Sequence, residues 1–358
     1  MAVQTFALSA GRINKFKGEI LAHAVPDERL SRTGRQVKFP KNNSDTYVAR
    51  RWIPYGATSA QPNQFFANAN TIDRGNQLVQ KHLTQEGVTA APESIVPMDV
   101  TVVMQQYSCT YGFTDKTYDL YEDDIPAAMK EQIGERVTLV NELIIQGALK
   151  AGTNQYYGGT GTTRATVNGG VTLSLLRSIM NSLLANHGKM TNIMLKASPD
   201  YDTSSVGEGC FIYAHTDLEG NFRDLPNFTP VEKYASGKPQ DGEIGKCERY
   251  RIITTPDMPS FQNAGAAATS WTTGGTPYDT AGTGSAVDVY TLIVLAKDAF
   301  SQIAVRGLEA VDPTFLPPGE KSKADIHGQR GYAGAKWWKA VMVENNGWMA
   351  IANIGRTI

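Results

Sequence analysis

The longest regular alternation of apolar and polar side chains, MDVTVVMQQYSCTYGFT over residues 98–114, is rich in β-branched and aromatic residues and predicts one long strand. Shorter strands are expected at 35–39 and 47–53, separated by PKNNSD, where Pro40, Asn42 and Asp45 supply turn chemistry. The basic strand at 47–53 is the natural partner of the long one. A different period follows: Met129, Ile133, Val137, Val140, Ile144 and Ala148 recur every three or four residues. With Asp124 as N-cap, Pro126 in the first turn and Gly152 as the stop, they predict a helix over 124–151. Its roughly 26 helical residues span about 39 Å at 1.5 Å per residue, the length of a structural spine.

Thr172 caps a second helix, with Leu175, Leu176, Ile179, Leu183 and Leu184 on one face and Gly188 as its stop. Beyond it the pattern shortens to strands, CFIYAH, YRIITT and VYTLIVLA, interrupted by a low-complexity loop at 263–285. The closing KWWKAVMVENNGWMAIANI reads as a β-hairpin turning at Asn345, Asn346 and Gly347. The first residues read as an extended arm, and 55–88 as a projecting loop with a short helix near 73–83. No internal repeat is visible.

Composition narrows the class. The chain has 358 residues, 41% hydrophobic and 19% charged with a net charge of -1, so it folds rather than solvating a tail or wrapping nucleic acid. No apolar run reaches the roughly 20 residues of a membrane helix, and the N-terminus lacks a signal-peptide core, so synthesis inside the cell is expected. Cys109, Cys210 and Cys247 are three widely spaced cysteines that indicate neither disulfides nor zinc, only small buried hydrophobes.

Charge is unevenly spread. Residues 11–53 hold ten cations against four anions, whereas 99–131 hold seven anions against two cations. Two opposed patches suit association between copies of one chain, each basic segment meeting a neighbour's acidic one. Solvated faces are the plainer reading of the same runs.

Signatures of catalysis are missing: there is no HExxH, CxxC, GxSxG or P-loop. The clusters GGTGT (158–162) and GTGS (282–285) lack the strand and helix context of a phosphate cradle and read as flexible loops. Five histidines stand singly. Acidic pairs such as Glu122 with Asp123, or Asp224 with Glu232, do acid–base work only in a shared cleft. Trp337, Trp338 and Trp348 offer a stacking platform, although adjacent tryptophans on a strand face opposite ways. No cofactor, metal or catalytic residue is assigned.

Several segments in order resemble the major capsid proteins of tailed bacteriophages, in particular an enquatrovirus-like podophage branch. They are TYDLYEDDIPAAMKEQIGERVTLVNELIIQGALKAG, HTDLEGNFRDLPNFTPVEKYASG, DGEIGKCERYRIITTPDMPSF, VYTLIVLAKDAF and HGQRGYAGAKWWKAVMVENNGWMAIANI. ADIHGQ departs from the Asp-Pro-Leu-type entry expected before the last segment. The resemblance implies an α+β Hong Kong 97 capsid fold. Its parts would be an N-terminal arm (1–34), an extended β-hairpin or E-loop with flanking strands (35–115), a peripheral domain (116–199) with spine helix 124–151, an axial domain (200–323) and a C-terminal hairpin (324–358) returning to the peripheral domain.

It further implies a non-enzymatic shell subunit in the virion, assembled in the host cytoplasm through pentamers and hexamers around double-stranded phage DNA. The DNA contact is expected to be nonspecific. Further expected partners are a separate scaffolding protein, a portal and a cement or decoration protein, with no membrane. Arg35, Lys38, Lys41, Arg50 and Arg51 would dock on a neighbour's Glu122, Asp123 and Asp124, and reversing Arg50 and Arg51 to Glu should block assembly of a folded monomer. The competing readings are an encapsulin-like nanocompartment and a glycan-binding or hydrolytic protein built on the tryptophans.

Overall fold

The computed structural model describes residues 25–26, 28–42, 44–55, 57, 62–63, 79–84, 86–89, 92, 94–120, 125–191, 208–234, 239–278, 285–308, 311–321 and 325–357. Its helices are α1 (Asp115–Leu120), α2 (Ile125–Lys150), α3 (Leu173–Ala185) and α4 (Glu219–Arg223). The strands run β1 (Arg35–Phe39), β2 (Thr46–Trp52), β3 (Pro97–Val103), β4 (Gln105–Thr114), β5 (Gln155–Tyr157), β6 (Cys210–His215) and β7 (Phe228–Pro230). They continue with β8 (Glu243–Cys247), β9 (Tyr250–Thr255), β10 (Val289–Leu295), β11 (Phe300–Val305), β12 (Asp312–Leu316), β13 (Arg330–Val343) and β14 (Met349–Gly355).

Three sheets result. One has the order β5-β14-β10-β6-β9-β8-β7, a second has β1-β11-β13-β12 with β4 also on β13, and β2 with β3 forms a separate ribbon. Strands β6, β9, β10 and β14 are almost wholly buried because both faces of their sheet are covered. Their side chains alternate between two cores. Ile212, Ile252, Leu292 and Ala352 meet Leu176, Ile179 and Leu183 of α3. Phe211, Tyr213, Ile253, Ile293 and Ile351 meet Leu30 together with Ile145 and Leu149 of α2.

Helix α2 serves two sheets. Its first half packs Met129, Ile133 and Val137 against Cys109, Phe113, Ala333 and Trp337 of β4 and β13, and its second half enters the core of the seven-stranded sheet. A 26-residue helix, about 39 Å long, is what lets one element bridge both layers. Its expected cap, Asp124, lies outside the described residues, as does most of the expected helix near 73–83. Thr172 caps α3 as expected, its hydroxyl accepting from the Leu175 N–H at 3.2 Å. At the far end His187 itself takes the left-handed conformation (φ 57°), while the Gly188 N–H closes on the Leu183 carbonyl at 2.8 Å.

Two readings of the strands need correction. The long strand over 98–114 is two strands: β3 pairs with β2, β4 pairs with β13, and Met104 turns into the core between Phe39, Ile303, Ala340 and Met342. The inward side chains are 98, 100, 102 and 104 in the first part but 107, 109, 111 and 113 in the second, a phase slip that one straight strand does not permit. The closing segment is not a hairpin. After Val343 the Asn345 side chain accepts from the Gly347 N–H at 3.0 Å, and the chain crosses to the other sheet, where β14 pairs with β10 and β5. Every residue of β14 is buried between β5 and β10, while β13 already pairs with β4, β11 and β12.

Candidate assembly interface

The β2–β3 ribbon carries two of the eight sequence-predicted contact residues, Arg50 and Arg51. Its register sets Arg50 opposite Asp99 and Arg51 opposite Met98, so the two arginines face opposite ways. Arg50 closes a bidentate pair on Asp99, Nε to Oδ1 at 2.8 Å and Nη2 to Oδ2 at 2.9 Å. Hydrogen bonding and charge hold the exposed Asp99 carboxyl below its ordinary pKa and raise that of Arg50. Around this pair the outward face is apolar, with Val48, Trp52 and Val103 exposed by 51%, 61% and 46%.

Arg51 lies on the inner face, in a cleft of about 380 Å³ between the ribbon and the end of β13. It donates to the Glu344 carbonyl at 3.3 Å, and its buried Nε has no hydrogen-bond partner among the described residues. Burial lowers its pKa and the Glu344 charge offsets part of that. Arg35 reaches the Glu344 carboxylate at 3.5 Å. Lys38 and Lys41 are exposed, Lys41 lying beside Gly307. Glu122, Asp123 and Asp124 lie outside the described residues.

The structure therefore brings Arg35 and Arg51 together on Glu344 and gives Arg50 a partner in its own chain. Reversing Arg50 and Arg51 would break the Asp99 pair and set an acid beside Glu344, so that change disturbs the ribbon's own seat as well as any contact with a neighbour. Neither Asp99 nor Glu344 was singled out from the sequence. The Arg50–Asp99 pairing was not readable, because the long connection over 53–96 fixes no register between the two strands.

Just ahead of β1, residues 28–34 strap the layers together. Buried Glu142 of α2 accepts the N–H groups of Leu30 and Ser31 at 3.3 and 3.5 Å. Arg29 donates to the Thr254 carbonyl, Arg32 pairs with Asp241 at 2.5 Å, and Gln302 donates to the Ser31 carbonyl at 2.7 Å. Burial pushes the Glu142 pKa up and the nearby Lys339 pKa down. The strap was invisible in the sequence, because its partners lie about 110 to 270 residues away.

The features that suggested chemistry are structural. Gly158 sits where a Cβ would come 2.1 Å from the Gly169 carbonyl oxygen, and Asn168 Oδ1 accepts the Thr160 N–H at 2.9 Å. GGTGT is thus a tight backbone clasp rather than the flexible loop expected, and the 282–284 part of GTGS lies outside the described residues. Trp337 is buried, stacks on Tyr107 and donates to Asn141 Oδ1 at 3.0 Å, while Trp338 faces the opposite core with Phe39 and Met104. Trp348 donates to the Asn186 carbonyl at 2.9 Å. No stacking platform is formed by these three. All three cysteines are free and buried, as expected. No cluster of metal-ligating side chains occurs among the described residues.

No protein-family model matches the chain. Over 145 residues it is 28% identical to the major capsid protein of Pseudomonas phage KPP21, a stretch covering 38% of this chain and only about a third (34%) of that protein. Solved structures align over nearly the full length. The capsid of Ralstonia phage GP4 covers 100% of this chain and 99% of its own, at TM-score 0.60 and 9% identity. The cyanophage Pam1 capsid covers 98% of each at 0.56 and 13%, and the cyanophage P-SCSP1u capsid 97% and 94% at 0.54 and 12%. A spine helix bridging two sheets, a separate two-stranded ribbon and these full-length alignments together mean that the chain has the α+β, Hong Kong 97-type fold of tailed-phage capsid subunits.

Proposed function

We propose that this chain is a major capsid protein, assembling through pentamers and hexamers into an icosahedral virion shell around double-stranded phage DNA. The observation that carries the reading is the two-way, nearly complete alignment with capsid chains, supported by the partial match to a named major capsid protein. The podophage branch is part of the same proposal and rests on the quoted segments. So do a separate scaffolding protein, a portal and a cement or decoration protein as partners, and the absence of catalysis.

Within that reading the β2–β3 ribbon is the E-loop, α2 with the β4–β13 sheet is the peripheral domain, and the seven-stranded sheet is the axial domain. On this assignment β11 and β12, which share a sheet with β13, count with the peripheral domain, and β14, which lies in the seven-stranded sheet, counts with the axial one. The ribbon supports an assembly role because a two-stranded ribbon is marginal alone and this one exposes Val48, Trp52 and Val103. The basic segment would dock on a neighbour's Glu122, Asp123 and Asp124. Lys38 and Lys41 are exposed and would carry that docking, with Arg35 and Arg51 orienting the ribbon's base.

Sedimentation of the expressed chain tests this. Wild type should pellet as large particles, and Lys38→Glu with Lys41→Glu should leave subunits or small rings with an unchanged melting curve. Full-size particles from the double variant would reject the docking, and no particles from wild type under any condition would reject the shell.

A further inference from the structure

The end of α2 and the loop after β5 bring two cations onto one aromatic ring. The Arg164 guanidinium lies 3.8 Å from the centroid of Phe261, and the Lys150 ammonium lies 5.1 Å from it. Among the described residues neither has a carboxylate within ion-pairing distance. Lys150 reaches one oxygen, the Pro259 carbonyl, at 3.5 Å, and Arg164 donates no side-chain hydrogen bond to a described residue. Arg50, Arg177, Arg223 and Arg251, by contrast, each close on an acid.

Two like charges held on one ring without a counter-ion are an arrangement that an anion would relieve. Burial lowers the pKa of Lys150 and the Arg164 charge pushes it the same way. A guanidinium stacked flat on a ring keeps its N–H edge open for a bidentate oxyanion, and the ammonium beside it adds a point charge. Phosphate matches that pair in charge and in its several acceptor oxygens.

We propose that Lys150, Arg164 and Phe261 form a phosphate-binding site whose ligand is a backbone phosphate of the enclosed duplex. The inference rests on the shell reading only for the source of the phosphate, since the site belongs to the single chain.

The test is fluorescence anisotropy of a labelled duplex of about 20 base pairs with the full chain across a salt series, with calorimetric titration of inorganic phosphate in parallel. Lys150→Ala with Arg164→Ala should weaken duplex binding roughly tenfold at low salt and flatten the log–log salt slope by about two. Lys130→Ala, which removes a single cation 4.9 Å from the Phe315 ring, should change little. Melting curves of all variants check the fold. A double variant that binds like wild type overturns the site, as does an equal loss in Lys130→Ala. Phosphate binding that the double variant abolishes, without any duplex binding, supports the site and overturns the duplex as its source. If the chain never assembles but the double variant loses binding, the shell reading fails and the site stands. If shells assemble and the double variant binds undiminished, the site fails and the shell reading stands.

Discussion

Glu243 of β8 and Arg251 of β9 pair diagonally across the two strands with side chains 0% and 8% exposed, joined by contacts of 2.8 and 3.0 Å. The Tyr234 hydroxyl and the Gln240 N–H add bonds of 2.7 and 2.9 Å to the same carboxylate. Removing one member leaves the other buried and uncompensated. Glu243→Leu should therefore lose about 3–5 kcal/mol in urea unfolding, and the double change with Arg251→Leu should lose less than the single one. Trp337 is a smaller case. Trp337→Phe keeps most of the packing on Tyr107 but strands Asn141 Oδ1, an expected loss of about 1 kcal/mol by the same measurement. That Trp337 and Trp338 face opposite ways was legible from strand geometry alone. The hydrogen bond to Asn141, 196 residues away, was not.

At the scale of elements, the amphipathic spacing of α2 and the capped start of α3 were legible because helix periodicity and capping are local. The strands were legible as strands, and the basic strand was legible as the partner of the first part of the long one, whereas the other pairings were not. The slip of inward parity between Met104 and Tyr107 was present in the sequence and marks the break between β3 and β4. Nothing local announces that β14 leaves β13, since Asn-Gly is as good a hairpin turn as it is a crossover. The strap over α2 yields its own prediction. Glu142→Ala removes the acceptor of two backbone N–H groups and should cost about 1–3 kcal/mol, whereas Glu142→Gln keeps an acceptor and sheds the buried charge. The Glu142 pKa is raised in the folded chain, so the folded state binds that proton more tightly than the unfolded one. Stability then falls as pH rises through the window between the ordinary carboxylate range and the raised value. Melts run upward in pH from the ordinary carboxylate range should show Glu142→Gln gaining on wild type through that window.

For the whole molecule, the uneven charge along the chain led to the idea of copies meeting through opposed patches, and the structure redistributes that charge. Arg50 is paired with Asp99, while Arg35 and Arg51 converge on Glu344. What remains exposed on the ribbon is chiefly apolar, so contact between copies depends on burying Val48, Trp52 and Val103 as well as on charge. Trp52→Ser should consequently impair assembly with little effect on the monomer's melting temperature, as read by light scattering beside a thermal scan. Negative-stain electron microscopy of the chain, expressed alone and with its neighbouring reading frames, tests the central claim most directly. The account predicts closed shells, tubes or capsomer rings with fivefold and sixfold symmetry, and a monodisperse monomer under every one of those conditions would contradict it.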